Sequence, residues 1–565
     1  FVLLENNGSR PFEKGRLSAY NYSVKNNKTQ TDYTKFCANN QMCLPMDLLV
    51  KIPEDDPVLL LNAIMERIDF SKFQKAYSRF GRIEYSPRIL TKILVYGYFR
   101  KIYSSHEIHR ACKENINFMY LLEGEPAPSV STLCRFRRNV LSVYGEDLLF
   151  QLVHELERRN VLSLDSVFID GTEIEANANR YTFVWRKSTQ KNWSNLQETL
   201  HRELPVILRE HQIRYSLPKE IPARTLHNIL TRLYCQKEEQ HLEFVHGTGK
   251  RKPPLQHQIE EIEQWKFRLE KYEESFSLFQ GRNSYSKTDH DATFMRMKED
   301  HMRNGQLKPG YNVNVATACG FIVGNYISAD RSDVNTLIPI SRKLLSQYTI
   351  RNVVADAGYE SEENYSFYEK LPQTELWVKP SNYEQQKKRK YRTDISRKEN
   401  MVYDAQKDIY LCAGGKELHP SATRHYTTKS GYVTETTIYQ CEDCSHCPLK
   451  KQCIKSKSKE PWETRGKKIY VSKTFQRQRQ EMTAKIQTTE GKLLRANRSI
   501  QAEGTFAVVK EDQGFRRFFL RGRYKVEAEW ILLSLAYNLL KLHQKIQNGR
   551  LGTGLIVPKS FPPGL

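Results

Sequence analysis

Two short apolar runs each stop on an aspartate. "VFID" ends at Asp170 and "VVAD" ends at Asp356. Apolar runs of this length read as strands, and two such strands can be neighbours, with both carboxylates at the same edge of one sheet. Side chains at strand ends can converge on a metal. Phosphodiester chemistry at neutral pH uses two hard cations about 3.5 to 4 Å apart, and magnesium keeps several waters, so two or three carboxylates suffice. The third acid has to come from elsewhere in the chain, and Glu503 in "IQAEGTFAVVK" is the choice. Lys510 follows seven residues later, and two helical turns put both side chains on one face.

Charge names the partner class. Lys and Arg number 88 against 65 for Asp and Glu, a net charge of +23. Each Lys or Arg that neutralises a phosphate releases condensed counterions, so nucleic acid is the expected partner. No run of about 18 apolar residues is present, which argues against a membrane helix, and the N-terminus has no signal-peptide pattern. Of the 11 cysteines, Cys37, Cys43, Cys112, Cys134, Cys235, Cys319 and Cys412 are scattered without framework spacing, which reads as a reducing, cytoplasmic chain.

With 565 residues the chain exceeds one ordinary core. Residues 1–44 form an N-terminal extension. Residues 45–160 carry apolar residues at three and four spacing and read as an all-α domain. In it "STLCRFRRNV" offers Ser129 or Ser131 as a cap before a helix that exposes Arg135, Arg137 and Arg138, and with the helix near Ser105 to Cys112 it could form a helix-turn-helix-like DNA reader. Residues 161–180, 308–380 and 491–545 then run strand, hairpin, helix, strand, helix, strand, the order of an α/β ribonuclease-H-like core. Two insertions interrupt it. Residues 181–307 read as a helical hairpin or coiled coil, and residues 381–490 are basic and Cys-rich. Residues 546–565 read as a mobile tail.

The second insertion holds "YQCEDCSHCPLKKQC". Cys441, Cys444, Cys447 and Cys453 in this array can close a tetrahedral zinc site. Lys450, Lys451, Lys455 and Lys457 nearby would lower the thiol pKa values. Three cysteines at two-residue gaps can also hold an iron-sulfur cluster, and His446 and Cys412 are spare ligands. "QQKKRKYRTDISRK" and "RGKKIYVSKTFQRQRQ" alternate basic with aromatic residues, which suits phosphate contact. Tyr181, Trp185, Trp193 and Trp377 are read as packing residues that could alternatively stack on an unpaired base. Among the other acids, Glu173 and Glu175 read as loop or supporting residues. Asp289 and Asp291 read as structural before they read as ligands, and Asp330 and Asp333 as helix caps.

"FIDGT", "VVADAGYES" and "AEGTFAVVKEDQGFRRFFLRG" resemble the three acidic motifs of bacterial insertion-sequence transposases of the Asp-Asp-Glu class. The closer resemblance is to the group with an N-terminal helical domain, a "DGT…ANANRYTFVW" first motif and a cysteine cluster before the last Glu. It extends to "KTDHDATFMRMK" (Lys287 to Lys298) and "LKPGYNVNVAT". The resemblance implies Asp170, Asp356 and Glu503 as the catalytic, metal-binding triad on a ribonuclease-H-like fold, with Mg2+ or Mn2+. It implies double-stranded DNA as partner, both the element's terminal inverted repeats and the target, in the bacterial cytoplasm at the nucleoid. Lys510, Arg516 and Arg517 are the expected DNA contacts near the triad, and a homodimer the expected synaptic form. One departure stands out. The wider superfamily has a Tyr and an Arg ahead of the Glu, with the Arg four residues upstream, and here those positions are Ala496 and Ser499. Arg498 and Arg495 are close by and could substitute, although at five and eight residues from Glu503 they point elsewhere on an ideal helix, and Glu527 and Glu529 are the fallback acids. The rival readings are a nuclease of the same fold that does not join strands, and a catalytically inactive DNA-binding protein.

Overall fold

Alternation along the strands decides which face of the central sheet each motif residue takes. The computed structural model describes residues 52–77, 84–247, 251–297, 305–455, 460–552 and 554–556. The expected extension 1–44 with Cys37 and Cys43, residues 45–51, Lys298 and Lys457 lie outside these. The strands are β1 Ser166–Glu175, β2 Phe183–Trp185, β3 Ser284–Ser286, β4 Thr293–Arg296, β5 Leu307–Ala318, β6 Phe321–Ser328, β7 Asn352–Ala355 and β8 Glu375–Val378. They are followed by β9 Val402–Asp404, β10 Ile409–Leu411, β11 Glu417–Thr427, β12 Val433–Cys441 and β13 Lys468–Val471.

The central mixed sheet has six strands in the order β4-β5-β1-β7-β8, with β6 also on β5. The β5–β6 hairpin lies antiparallel beside β1, whereas β7 and β8 run parallel to it. Successive side chains of a strand point to opposite faces. Val167, Ile169, Val353, Ala355, Leu376 and Val378 accordingly join the main core, while Phe168, Val354 and Trp377 join a separate cluster with Leu494 and Ala502. The helix Thr489–Arg498 covers this second face.

The first face is covered by the buried 25-residue helix Arg523–Gln547, which packs on β6 and also on the N-terminal helices Pro87–Phe99 and Ser142–Arg158. A single hydrophobic core therefore runs from Ile52 through the sheet to Leu542. The expected mobile tail begins inside this helix, and further on Leu555 packs against the second-face cluster. There the Asn497 side-chain amide exchanges two 2.9 Å hydrogen bonds with the Ile556 backbone.

Both interruptions form bodies with cores of their own. The first enters and leaves through the β2–β3 ribbon and holds three helices, Arg186–Glu210, Ala223–Glu239 and Pro254–Phe279, around Leu200, Leu226, Ile229, Ile259 and Leu269. The sequence pattern suggests a helical hairpin or coiled coil, and the structure has a third helix, Ala223–Glu239. It closes the apolar face that two amphipathic helices would leave open. The second contains a five-stranded antiparallel sheet, β13-β12-β11-β10-β9.

Candidate active site

Asp170 and Asp356 come side by side where the parallel β1–β7 pairing stops; Asp356 follows β7, but Asp170 does not end its strand as its apolar run suggests, because β1 continues to Glu175 against β5. The parallel β1–β7 pairing sets Ile169 opposite Ala355, so each aspartate is the residue after a paired position. By alternation they share the face of Phe168 and Val354, the face covered by the helix that leads into Glu503. Asp170 is 8% exposed, and Asp356 caps the short turn Ala357–Tyr359 by accepting from the Gly358 N–H at 2.7 Å.

The approach to Glu503 departs from an ideal helix in a way that matters. Residues Ser499–Glu503 form a π-helical turn, in which residues five apart, rather than four, align. Arg498 is thereby brought onto the Glu503 side: its Nη2 donates to Glu503 Oε1 at 2.9 Å, and its Nη1 lies 3.6 Å from Asp170 Oδ2. Ser499 Oγ donates to Glu503 Oε2 at 3.0 Å. At 3.6 residues per turn Arg498 would point elsewhere, and the π turn is what makes it the nearby arginine that meets Glu503.

Asp170, Thr172, Glu503, Phe506 and Lys510 line a cleft of about 300 Å³, and Asp356, Lys379, Arg495 and Arg498 line a second of about 490 Å³. Arg498 stands between the two. A larger cavity of about 690 Å³ lies behind the same helix among Ile500, Gly504, Lys541 and Lys545, and none of the three acids lines it.

A further acid joins this edge. Asp333, expected only as a cap, accepts from Asn312 Nδ2 at 2.7 Å and lies against two motif glycines. A Cβ on Gly171 would come 2.6 Å from Asp333 Oδ1, and one on Gly358 would come 3.4 Å from Asp333 Oδ2. Beneath them Tyr359 is buried and donates to Asn314 Oδ1 at 2.6 Å. Burial, then the charges of Asp333, Asp170 and Asp356, hold its phenol well above the ordinary value. The signal for Asp333 in the sequence was an Asp before a helix, which is common to many caps.

Several expected contacts take other roles. Arg137 is buried: it donates to Tyr98 OH at 2.6 Å and to Ser105 Oγ at 3.1 Å, and it pairs with Glu529 at 3.7 Å. Expected as a DNA contact, Arg137 is instead committed inside the fold, whereas Arg135 and Arg138 are exposed. Ser129 is the cap of their helix. Lys510 is 5% exposed and donates to Thr172 Oγ1 at 2.6 Å and to the Glu173 carbonyl at 3.2 Å, so its ammonium ties the helical segment to β1 rather than projecting into solvent. Arg516 pairs with Glu511 at 2.5 Å, and Arg517 lies 4.0 Å from Glu175; both are about half exposed. The fallback acids lie away from the cleft, Glu527 on Lys343 at 3.2 Å and Glu529 on the Phe519 and Leu520 N–H groups. Asp289 and Asp291 accept from the Gly522 and Arg523 N–H groups and brace the start of the last long helix. Trp377 is buried, Trp193 packs on the three-helix core, and Tyr181 is exposed.

Carboxylate oxygens are the donors a hard divalent cation takes, and two of them already face one cationic group, Arg498. Among the described residues, no three His, Cys, Asp or Glu side chains are arranged as they stand to hold a metal ion. Nor is any described helix long and apolar enough to cross a membrane.

A family model described as Transposase DDE domain matches residues 411–543, and one described as Transposase domain (DUF772) matches residues 46–139. Both descriptions place the chain among transposases. More narrowly, the pair indicates an insertion-sequence transposase of the Asp-Asp-Glu class, for which a ribonuclease-H-like core and divalent metal ions are implied. The first match contains Glu503 and the cysteine cluster; Asp170 and Asp356 fall outside both. No curated protein and no solved structure matches the chain.

Proposed function

We propose that this transposase binds the terminal inverted repeats of its element, cuts the DNA there and joins the freed 3′ ends to target DNA, with Asp170, Asp356 and Glu503 as the metal-binding triad. One observation carries the reading. Where the parallel pairing of β1 with β7 stops, Asp170, still within β1, and Asp356, just past β7, stand next to each other on the face covered by the helix that leads into Glu503.

When bound, a pair of magnesium or manganese ions would activate the attacking oxygen and stabilise the leaving one. The chain's own residues do the positioning. Arg498 draws the Asp170 and Glu503 carboxylates toward one point and keeps a positive charge between them. Lys510 holds the Glu503 segment against β1. Arg135, Arg138, Arg516 and Arg517 contact DNA phosphates, a role that fixes register without reading sequence. Water cuts the element end, and the 3′ hydroxyl then attacks target DNA in line at the same site, with no covalent enzyme intermediate. Synapsis of two ends calls for a homodimer. A zinc ion held by the cysteines of the second insertion would brace the module that precedes the Glu503 helix.

The test is cleavage of a labelled duplex carrying the terminal repeat, in magnesium, manganese and calcium, by the parent and by D170N, D356N and E503Q. Each variant is expected to bind the repeat like the parent and to cut at least about 100-fold more slowly, more than loss of an outer-shell partner costs. Joined product from the parent separates a transposase from a simple nuclease. If E503Q cuts normally, Glu503 is the wrong acid. If the parent binds but never cuts, the inactive DNA-binding reading takes over.

A further inference from the structure

Five cysteines, more than a tetrahedral ion needs, line one enclosed cavity of about 20 Å³: Cys412, Cys441, Cys444, Cys447 and Cys453. All five are free thiols. The spacing in the sequence favours the last four, and the fold separates them differently.

Cys441 belongs to the sheet. It is the last residue of β12, its Cα pairs with Leu418, and its N–H donates to the Lys467 carbonyl at 3.0 Å. Its side chain is 2% exposed, in the core formed by Tyr410, Leu418, Tyr439, Ile469 and Val471. The thiol donates to the Asp443 carbonyl at 3.5 Å. The thiol also hydrogen-bonds to Cys444 and borders the cavity from the sheet side, whereas the thiols that act on Cys453 are Cys412, Cys444 and Cys447.

The other four lie on turns and a short helix, where sulfurs can close without disturbing a ladder. Cys412 opens the tight turn after β10: its carbonyl accepts from the Gly415 N–H at 2.9 Å, and Gly415 has a φ of +73°, which favours glycine. Gly414 lies between two sulfurs, for its Cβ would meet Cys447 Sγ at 3.6 Å and Cys412 Sγ at 3.7 Å. Cys444 Sγ accepts from the Lys467 N–H at 3.4 Å, a contact that a thiolate strengthens. Cys453, in the helix Lys450–Cys453, is within electrostatic reach of Cys412, Cys444 and Cys447.

We infer that the ligands are Cys412, Cys444, Cys447 and Cys453, and that Cys441 is a core thiol that does not touch the metal. The inference rests on the zinc centre proposed above and changes its ligand set. Four thiolates suit one tetrahedral zinc. The ion would join the turn after β10 to the loop after β12, two segments about thirty residues apart, and so staple the open end of the β11–β12 hairpin.

The test uses the full chain, with metal content measured by mass spectrometry on the parent, C412S, C453S and C441S. About one zinc per chain is expected in the parent and in C441S, and loss of most of it in C412S and C453S. Zinc retained in C412S but lost from C441S overturns the ligand set. A parent with no zinc, or with iron and sulfide instead, overturns the zinc centre itself. Should C412S fold poorly, alkylation mapping of the parent answers the same question. Cys412 should be shielded from iodoacetamide until a chelator is added, and labelling that is equal before and after the chelator overturns its role.

Discussion

Gly171 and Gly358 are in the motifs because a carboxylate fills the space their side chains would need. A methyl on Gly171 would press on Asp333 Oδ1 at 2.6 Å and on Tyr359 OH at 3.1 Å. Overfilling a packed site costs about 1 to 3 kcal/mol, so G171A should lose about 2 kcal/mol in urea unfolding. D333A removes the obstructing atoms, so the double variant should be less destabilised than the sum of the single ones by about 1 kcal/mol. Strict additivity would show that the contact with Asp333 is not what excludes a side chain at position 171. The same scale explains which part of the site was readable. Asp170 and Asp356 follow apolar runs whose strand character is local, whereas Asp333 reaches the site through Asn312 on another strand, a contact that no spacing within its own segment encodes.

At the scale of elements, the Glu503 helix was legible and its phase was not. Periodicity predicts a helix, but a single π turn rotates everything after it relative to what precedes it, and here it aligns Arg498 with Glu503. Another element-level contact holds the segment after Asp356 in place. Glu360 accepts two 2.7 Å hydrogen bonds from Arg479 on the helix Lys473–Gln487. Burial works to raise the Glu360 pKa, but the Arg479 guanidinium and the Ser381 N–H outweigh it, leaving the group below its ordinary 4.5. A carboxylate depressed in the folded state stabilises above its unfolded pKa, and that contribution is lost as pH falls through the folded value. E360Q should therefore melt below the parent at pH 7, by the equivalent of about 1.5 kcal/mol for a charged hydrogen bond weakened at a half-buried pair. The gap should narrow as pH drops below 4.5; a gap constant with pH would mean that the charge on Glu360 plays no part.

For the whole molecule, the N-terminal helices and the sheet share the helix Arg523–Gln547 as a common support. A buried polar knot fastens them: Arg137 from the N-terminal side meets Tyr98 and Glu529, and Glu529 also accepts from the Phe519 and Leu520 N–H groups. Removing one partner of a buried charge pair leaves the other uncompensated, at about 3 to 5 kcal/mol. R137M and E529L should each lower the melting temperature sharply, and R137M/E529L should recover much of the loss. A double variant no better than the worse single one would show that the pair is not a unit.

Local pattern alone was enough for the helical N-terminal region, the apolar strand segments that lead into Asp170 and Asp356, and the cysteine array, because each is written in neighbouring residues whose periodicity acts at short range. That β1 runs on past Asp170 was not legible, because it is the pairing with β5 that extends it. Only the tertiary structure decided that Arg137 is buried, that Arg498 faces Glu503, that Asp333 sits between two motif glycines and that Cys412 joins a cluster begun about thirty residues later. Each of these depends on side chains brought together by packing between distant segments, and a helix turn of altered pitch or a strand pairing leaves no trace in the spacing of the residues it aligns.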